Sequence, residues 1–214
     1  MGGEIMKKLV IYGAGFSNII KLIDKINAQK MTWEVVGFLD DEKYGVEQKF
    51  MGYRILGDRK AVNDFDKDIY FINNVASTMH ARELVAGALQ DVSLATLVSP
   101  QVDVNYVTIG KGTVIHDGVN LGANVTIGSN CVLRWNAQIT HDNKLADFTF
   151  VGPGAILCGY VSTGTGAYIG AGSTIKERIT IGSWATVGMG SAVIKNVLDY
   201  ETVIGVPAKS KRTH

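Results

Sequence analysis

From Ile109 to Val193 the chain places an aliphatic residue at every sixth position, fourteen times in fifteen, the exception being Thr163. The following residue is glycine at 110, 122, 128, 152, 164, 170, 182 and 188, and the residue two before is mostly small or β-branched, as at Val119, Val125, Ala155, Ala167 and Ala185. A period of six suits neither the 3.6-residue repeat of a helix face nor a hairpin meander, which shows turn signals every 8 to 12 residues. It is the period of a parallel β-helix of hexapeptide repeats. Each hexad then makes one short strand and one corner, with the aliphatic residue pointing inward and the glycine after it permitting the tight turn. Three hexads close an 18-residue triangular coil, so fifteen give five coils, and the tail after Val197, with Pro207, supplies a cap.

Stacking turns sequence separation into distance, because residues 18 apart lie on adjacent coils at the inter-strand spacing of about 4.8 Å. The stretch NAQITHDNKL, Asn136 to Leu145, breaks the monotony by setting an imidazole beside a carboxylate, His141 and Asp142. His141 follows Ile139 by two and Gly159 follows Leu157 by two, which predicts a backbone amide without side-chain bulk one coil above the imidazole. The same arithmetic stacks Trp135, Pro153, Ala171 and Met189 into an apolar strip beside that column. A histidine, ordinarily titrating near ~6.5, is suited to proton transfer at neutral pH. Asp142 would fix its tautomer, but neighbouring strand residues point to opposite faces, so that contact requires a corner.

The first ninety residues follow another pattern. Lys8 to Tyr12 is a short apolar run ending in Gly13-Ala-Gly15-Phe-Ser17, followed by a helical pattern through about Gln29; Glu34 to Leu39 then ends in Asp40-Asp41. Asp68 to Ile72 reads as a further parallel strand with Asn73 and Asn74 at its tip, and His80 to Leu89 as a helix. Strand, glycine turn, helix, strand and acid describe a small α/β unit that cradles a phosphate or ribose at its strand ends. The dinucleotide fingerprint is incomplete, since its third glycine would fall at Asn18. A smaller nucleotide ligand fits better, with Gly13, Gly15, Ser17, Asp40, Asp41 and Asn73 as candidate contacts. That these glycines only make tight turns stays open as the alternative. The expected organisation is a Rossmann-like domain over residues 1–95 and a β-helix domain with a C-terminal cap over 96–214.

Composition narrows the function classes. Lys plus Arg number 21 against 20 Asp plus Glu, without the basic excess that holds nucleic acid by counterion release. Cys131 and Cys158 sit among apolar residues and read as reduced thiols. No run approaches the roughly 18 apolar residues of a membrane span, and MGGEIM reads as an extension ahead of Lys7 without a signal-peptide or myristoylation pattern. A cytoplasmic protein is expected.

Taken together, Ile11-Tyr-Gly-Ala-Gly15, Gly37-Phe-Leu-Asp-Asp41, Phe50 to Gly57, His141-Asp142, Val151-Gly-Pro-Gly-Ala155 and Ile204-Gly-Val-Pro-Ala208 give the chain a resemblance to a known family. It resembles the nucleotide-sugar acetyltransferases of the left-handed β-helix superfamily, in particular the UDP-4-amino-sugar N-acetyltransferases of bacillosamine synthesis and the sialic-acid O-acetyltransferases. The resemblance implies a homotrimer with active sites between neighbouring prisms, acetyl-CoA along the coils and a nucleotide-linked sugar on the N-terminal domain. It makes His141 the base, Asp142 its assisting carboxylate and Gly159 the oxyanion-binding amide, which agrees with the 18-residue stacking. The left hand comes from the resemblance alone, since crossover connections are generally right-handed. Phe150, Gly170, Ala171, Gly188, Met189, Lys195, Pro207 and Lys209 are the candidate acetyl-CoA contacts. Lys195, Lys209, Lys211 and Arg212 are placed either at the CoA phosphates or in solvent. Two positions depart from the pattern: Ser17 replaces a usual histidine near the sugar phosphates, and Phe150 replaces a second, beside the acyl carbonyl. Serine still donates a hydrogen bond to phosphate, whereas Phe150 cannot polarise a carbonyl, which leaves more to Gly159.

The expected activity is acetyl-CoA-dependent N-acetylation of a nucleotide-linked amino sugar, a 4-amino-4,6-dideoxy sugar being favoured. The alternatives are sugar O-acetylation and a non-catalytic trimeric nucleotide-binding scaffold. A zinc enzyme of the γ-carbonic anhydrase kind needs three converging histidines, and only His116 and His141 lie in the coils, so no metal is expected. His116 reads as structural or solvent-facing, Trp135 and Trp184 as packing at a subunit contact or coil edge, and His80 and His214 carry no motif.

Overall fold

The computed structural model describes residues 5–75, 84, 85 and 87–211, and the chain falls into two units, Met1–Leu97 and Val98–His214. In the first, the central strand is apolar on both faces, with Leu9, Val10, Ile11 and Tyr12 all buried, as a parallel sheet requires. The sheet has the order β3-β4-β2-β1-β5-β6, built from β1 (Lys7–Tyr12), β2 (Trp33–Leu39), β3 (Lys49–Phe50), β4 (Tyr53–Gly57), β5 (Tyr70–Asn73) and β6 (Ser93–Leu94). Neighbours are parallel except the β3–β4 pair. Helix α1 (Asn18–Gln29) buries one stripe, Ile19, Ile20, Leu22 and Ile23. The strand expected from Asp68 begins at Tyr70, because the amide of Ile69 turns back to the carbonyl of Asp66, and it runs on to include Asn73. The helix expected from His80 to Leu89 lies largely outside the described residues.

In the second unit each of the fifteen hexads folds into a two-residue strand that ends on its sixth-position residue, from Thr108–Ile109 to Ala192–Val193. Strands pair in parallel with those 18 residues away, Asn120 with Gln138, Gln138 with Ile156, and so on along the array. The result is a parallel β-solenoid with three sheets. Its aliphatic residues form one continuous core, in which Ile115, Leu133, Val151, Ile169 and Val187 are fully buried. Burying one such side chain contributes about 1.5–3 kcal/mol, so an inward column of them holds the coils in register.

Thr163 breaks the aliphatic pattern without leaving a polar group unpaired. Its hydroxyl accepts the amide of Ala146 at 3.1 Å and lies 2.8 Å from the hydroxyl of Thr149, which donates to the carbonyl of Ala146 at 2.7 Å. A small polar network thus replaces one methyl contact.

One expectation about the corners is corrected. The glycine after each aliphatic residue does not make the turn; the left-handed residue is the third after it, from Gly112 (φ 74°) through Asn124, Asp142 and Tyr160 to Gly190 (φ 66°). The glycine directly after the aliphatic residue serves close approach instead. A β-carbon at Gly122 would stand 2.7 Å from the nitrogen of His141, and one at Gly152 would stand 2.6 Å from that of Ala171. The tail closes onto the last coil, where the amide of Ala192 donates to Gly205 and that of Ala208 donates to Ala192, with a cis peptide bond at Val206–Pro207. Its strand Thr202–Ile204 ends in an antiparallel pairing with Lys209–Ser210.

Candidate active site

The corner after Ile139 carries His141 and Asp142. Asp142 takes the left-handed conformation, φ 57°, which an aspartate tolerates better than most residues. That backbone turn supplies what a strand could not: it swings the carboxylate back so that its Oδ2 lies 2.8 Å from Nδ1 of His141. Asp142 is held below the usual carboxylate range, chiefly because His141 donates to it, with hydrogen bonds from Asn124 and Tyr160 adding to the effect. An ionised carboxylate only accepts, so Nδ1 carries a proton and, in the neutral ring, the lone pair falls on Nε2.

One coil further on, the imidazole lies against the backbone of Gly159. A β-carbon there would stand 2.6 Å from Cε1 and 2.8 Å from Nε2 of His141, so only glycine admits the ring in this position. The amide of Gly159 lies outside the strand ladders, and no group among the described residues takes it. Two other corners show what such an amide accepts. Ser129 and Ser183 occupy the same step of their hexads, and each donates its N–H at 2.7 Å to a carboxylate oxygen, from Asp147 and Asp199 respectively. An amide at this step can therefore take an anionic oxygen.

The same 18-residue stacking builds a column through Asp142. It runs Asn124, Asp142, Tyr160, Arg178. Asn124 Nδ2 is 3.4 Å from Asp142 Oδ1, the Tyr160 ring meets His141 edge-on at 5.3 Å, and the guanidinium of Arg178 stands 4.4 Å over Tyr160. Asn143, next to the pair, is also a residue that sequence reasoning passed over; it is fully buried and bonded on both sides of its amide.

The remaining candidates are more dispersed. Trp135, Pro153, Ala171 and Met189 do stack, through the bonds Gly154 N–H to Trp135 O, Gly172 N–H to Pro153 O and Gly190 N–H to Ala171 O. Their corner precedes the one bearing His141, however, with the sheet of Gln138, Ile156 and Thr174 between the two, so the strip is not beside the imidazole within the chain. Gly170 and Gly188 face Met189 and Ile204 too closely for a β-carbon, and Met189 itself is 79% exposed. Phe150 lies on the third sheet, buried and stacked on Tyr168 at 4.6 Å with the Arg134 guanidinium 5.7 Å from its ring. Lys195 is exposed on the His141 corner at the far end of its column, whereas Pro207, Lys209 and Lys211 belong to the tail, and Arg212, His80 and His214 lie outside the described residues.

His116 is not solvent-facing. It is buried, with Nε2 2.8 Å from Nη1 of Arg134, and burial pushes that guanidinium down to about 10. Trp135 packs on this pair, its ring 4.6 Å from that of His116, and Trp184 lies over Gly166. No group of three potential metal ligands occurs among the described residues, and no helix among them is long and apolar enough to cross a membrane.

In the N-terminal unit the glycine turn is held from below. Gly13 has φ 104°, and Asn74 Nδ2 donates to the carbonyls of Gly13 and Phe16 at 2.8 and 3.0 Å. Asn73 Oδ1 accepts the amide of Val75, so Asn74 is the residue that shapes the loop. Around Gly15 there is open space, and Ser17 precedes α1 with no hydrogen bond from its side chain to the helix. Asp40 already accepts the amides of Ala14, Glu42 and Lys43, while Asp41 accepts that of Arg59 and the hydroxyl of Tyr12, whose phenol burial and Asp41 together push up.

No family model matches the chain. A curated relative, the bifunctional protein GlmU of Syntrophotalea carbinolica, is 43% identical over 65 residues; this stretch is 30% of the chain and 12% of that protein's length. Likeness in three dimensions extends much further. The acetyltransferase domain of PglB from Neisseria gonorrhoeae, solved with acetyl coenzyme A, is 25% identical and superposes with a TM-score of 0.83 over 96% of this chain and 100% of that one. A variant of GDP-perosamine N-acetyltransferase from Caulobacter crescentus, solved with CoA and GDP-perosamine, is 26% identical with a TM-score of 0.83 over 96% and 97%. WeeI from Acinetobacter baumannii gives 25% and 0.80 over 95% and 99%. The chain thus shares, along nearly its whole length, the architecture of sugar N-acetyltransferases of the left-handed β-helix superfamily, with the β-solenoid as its second unit.

Proposed function

We propose that the protein is an acetyl-CoA-dependent N-acetyltransferase of a nucleotide-linked amino sugar, with a 4-amino-4,6-dideoxy sugar as the favoured acceptor. The observation that carries this reading is the imidazole of His141, tied to Asp142 and lying against Gly159, whose amide no described group takes. The solved relatives with acetyl-CoA, CoA and GDP-perosamine support the substrate classes.

In the proposed reaction the acceptor nitrogen forms a bond to the thioester carbon, and the carbonyl electron pair moves to oxygen. Nε2 of His141 takes the proton that the nitrogen loses. Asp142 keeps the other ring proton in place and stabilises the imidazolium, a contribution of general-base catalysis typically about 10²–10⁴-fold. The N–H of Gly159 receives the oxyanion, where one such donor is worth about 10²–10³ in turnover. Collapse breaks the carbon–sulfur bond, and the CoA thiolate recovers the proton from His141.

The finer reading includes a left-handed coil, a Rossmann-like nucleotide-binding unit around Gly13, Gly15 and Ser17, and a cytoplasmic homotrimer whose sites form between subunits. The separation of His141 from the Met189 corner and from Phe150 within one protomer favours that assembly, since a neighbouring prism would bring the acetyl-CoA contacts to the imidazole. A thiol-release assay of the purified protein with acetyl-CoA and a panel of UDP-, GDP- and dTDP-linked amino sugars tests the activity. Release that depends on one of these sugars is expected; nucleotide binding without acetyl-CoA binding would make the protein a scaffold instead.

A further inference from the structure

The interior corner positions 107, 125, 143, 161 and 179 carry Val, Val, Asn, Val and Ile. Four of the five are plain aliphatic packing, and the fifth is an amide with 0% exposure. Burying an amide where valine packs is unfavourable unless every polar atom is bonded, and even then the balance is close to neutral. Stability alone therefore does not call for asparagine here.

The side-chain bonds of Asn143 are all to the two coils of the candidate site. Its Nδ2 donates to the carbonyl of Thr140 at 2.8 Å and lies 3.3 Å from that of His141, so it grips the peptide groups on both sides of the His141 α-carbon. Its Oδ1 accepts the amide of Val161 at 3.0 Å, two residues beyond Gly159 on the next coil. The carbonyl of His141 also receives the amide of Tyr160, which lies between those two. One buried side chain thus fastens the backbone under the imidazole to the backbone that presents the Gly159 amide.

We propose that Asn143 is a positioning residue for the acyl transfer, setting the distance and orientation between the His141 ring and the Gly159 N–H. The inference rests on the acetyltransferase reading for its kinetic consequence but not for its structural one. Alignment of this kind matters because displacement of reacting groups by about 1 Å lowers rates by as much as about 10². The chain also offers a guide to a conservative replacement: Thr113 accepts the amide of Cys131 18 residues on and donates to the carbonyl of Gly128, bridging two coils as Asn143 does.

The test compares the full-length protein with N143V and N143T. N143V is expected to fold, because valine fills the column at 125 and 161. Its kcat should fall at least about tenfold with KM for acetyl-CoA and sugar within about twofold, the Val161 amide should exchange with solvent faster, and the Nδ1 proton signal of His141 should broaden. N143T, which keeps an acceptor for Val161, should recover most of the rate and the slow exchange. Turnover of N143V within twofold of the parent, or unchanged Val161 exchange and His141 signal, would overturn the proposal. A parent protein that transfers no acetyl group refutes the acetyltransferase reading, while the exchange and ring signals still decide whether Asn143 ties the coils.

Discussion

His141 and Gly159, eighteen residues apart, lie in contact, the ring of one occupying the space that a side chain on the other would need. The first prediction follows from that relationship. In G159A the new methyl would meet the exposed, flexible end of the imidazole, so the ring swings away at little expense to the fold. Turnover by thiol release should fall by about 10² or more, while the unfolding midpoint in calorimetry moves by no more than a few degrees. Unchanged turnover would mean that the ring has no catalytic part in this position.

His141 and Asp142 make a second prediction with two arms. H141A should lose at least about a hundredfold in kcat with acetyl-CoA binding by titration calorimetry retained. D142N replaces a pure acceptor by an amide that can donate to Nδ1, which favours the tautomer without a lone pair at Nε2, so kcat should again fall with little change in KM. The pH behaviour has a definite sign. Asp142 is held below its ordinary value by its hydrogen bonds, so their contribution to stability is present above the ordinary carboxylate pKa near ~4 and is lost as pH falls through the lowered one. An acid unfolding curve of D142N should therefore lie closer to that of the parent at low pH than at neutral pH.

How far these residues could be read in advance depends on which physical rule governs them. The register was legible because a six-residue inward pattern allows only one way to bury itself, so Gly159 could be set over His141 by addition. The turn position is not legible in the same way, because glycine at 122 and 152 suggests backbone freedom where its value is the missing β-carbon under a neighbouring coil. The left-handed corner instead falls at residues such as Asp142 and Tyr160, where no glycine marks it. Asn143 escaped notice because polarity beside a catalytic pair reads as more of the same exposed surface, whereas its column is interior. Met189 and its strip were placed beside the imidazole because arithmetic gives the coil and the step but not the distance around the prism.

Cys131 and Cys158 should differ sharply in reactivity. Burial pushes the Cys131 thiol up to about 12, whereas Cys158 is partly exposed. Iodoacetamide near pH 8 should modify Cys158 alone, as read by peptide mass spectrometry, with Cys131 labelled only after unfolding. A thiol whose folded pKa is raised stabilises the fold below its unfolded value, near 9, and that contribution disappears as pH rises toward 12. C131A should accordingly show a shallower loss of stability than the parent between those two pH values.

Thr163 allows the repeat itself to be tested, because valine at this position would complete the aliphatic pattern. Pattern alone predicts that T163V is stabilising. The structure predicts the opposite: the hydroxyl accepts the Ala146 amide and meets the Thr149 hydroxyl, so valine would leave a backbone N–H near the core without its partner. An unsatisfied buried donor costs about 1–3 kcal/mol, which exceeds the gain from one methyl group at roughly 0.8 kcal/mol. T163V should therefore unfold at lower denaturant concentration than the parent with an unchanged slope, and the double variant T163V/T149V should recover little, since the orphaned group belongs to Ala146. A T163V protein more stable than the parent would show that the bonds of the hydroxyl do not offset the missing methyl contact and that the threonine is only a lapse in the repeat.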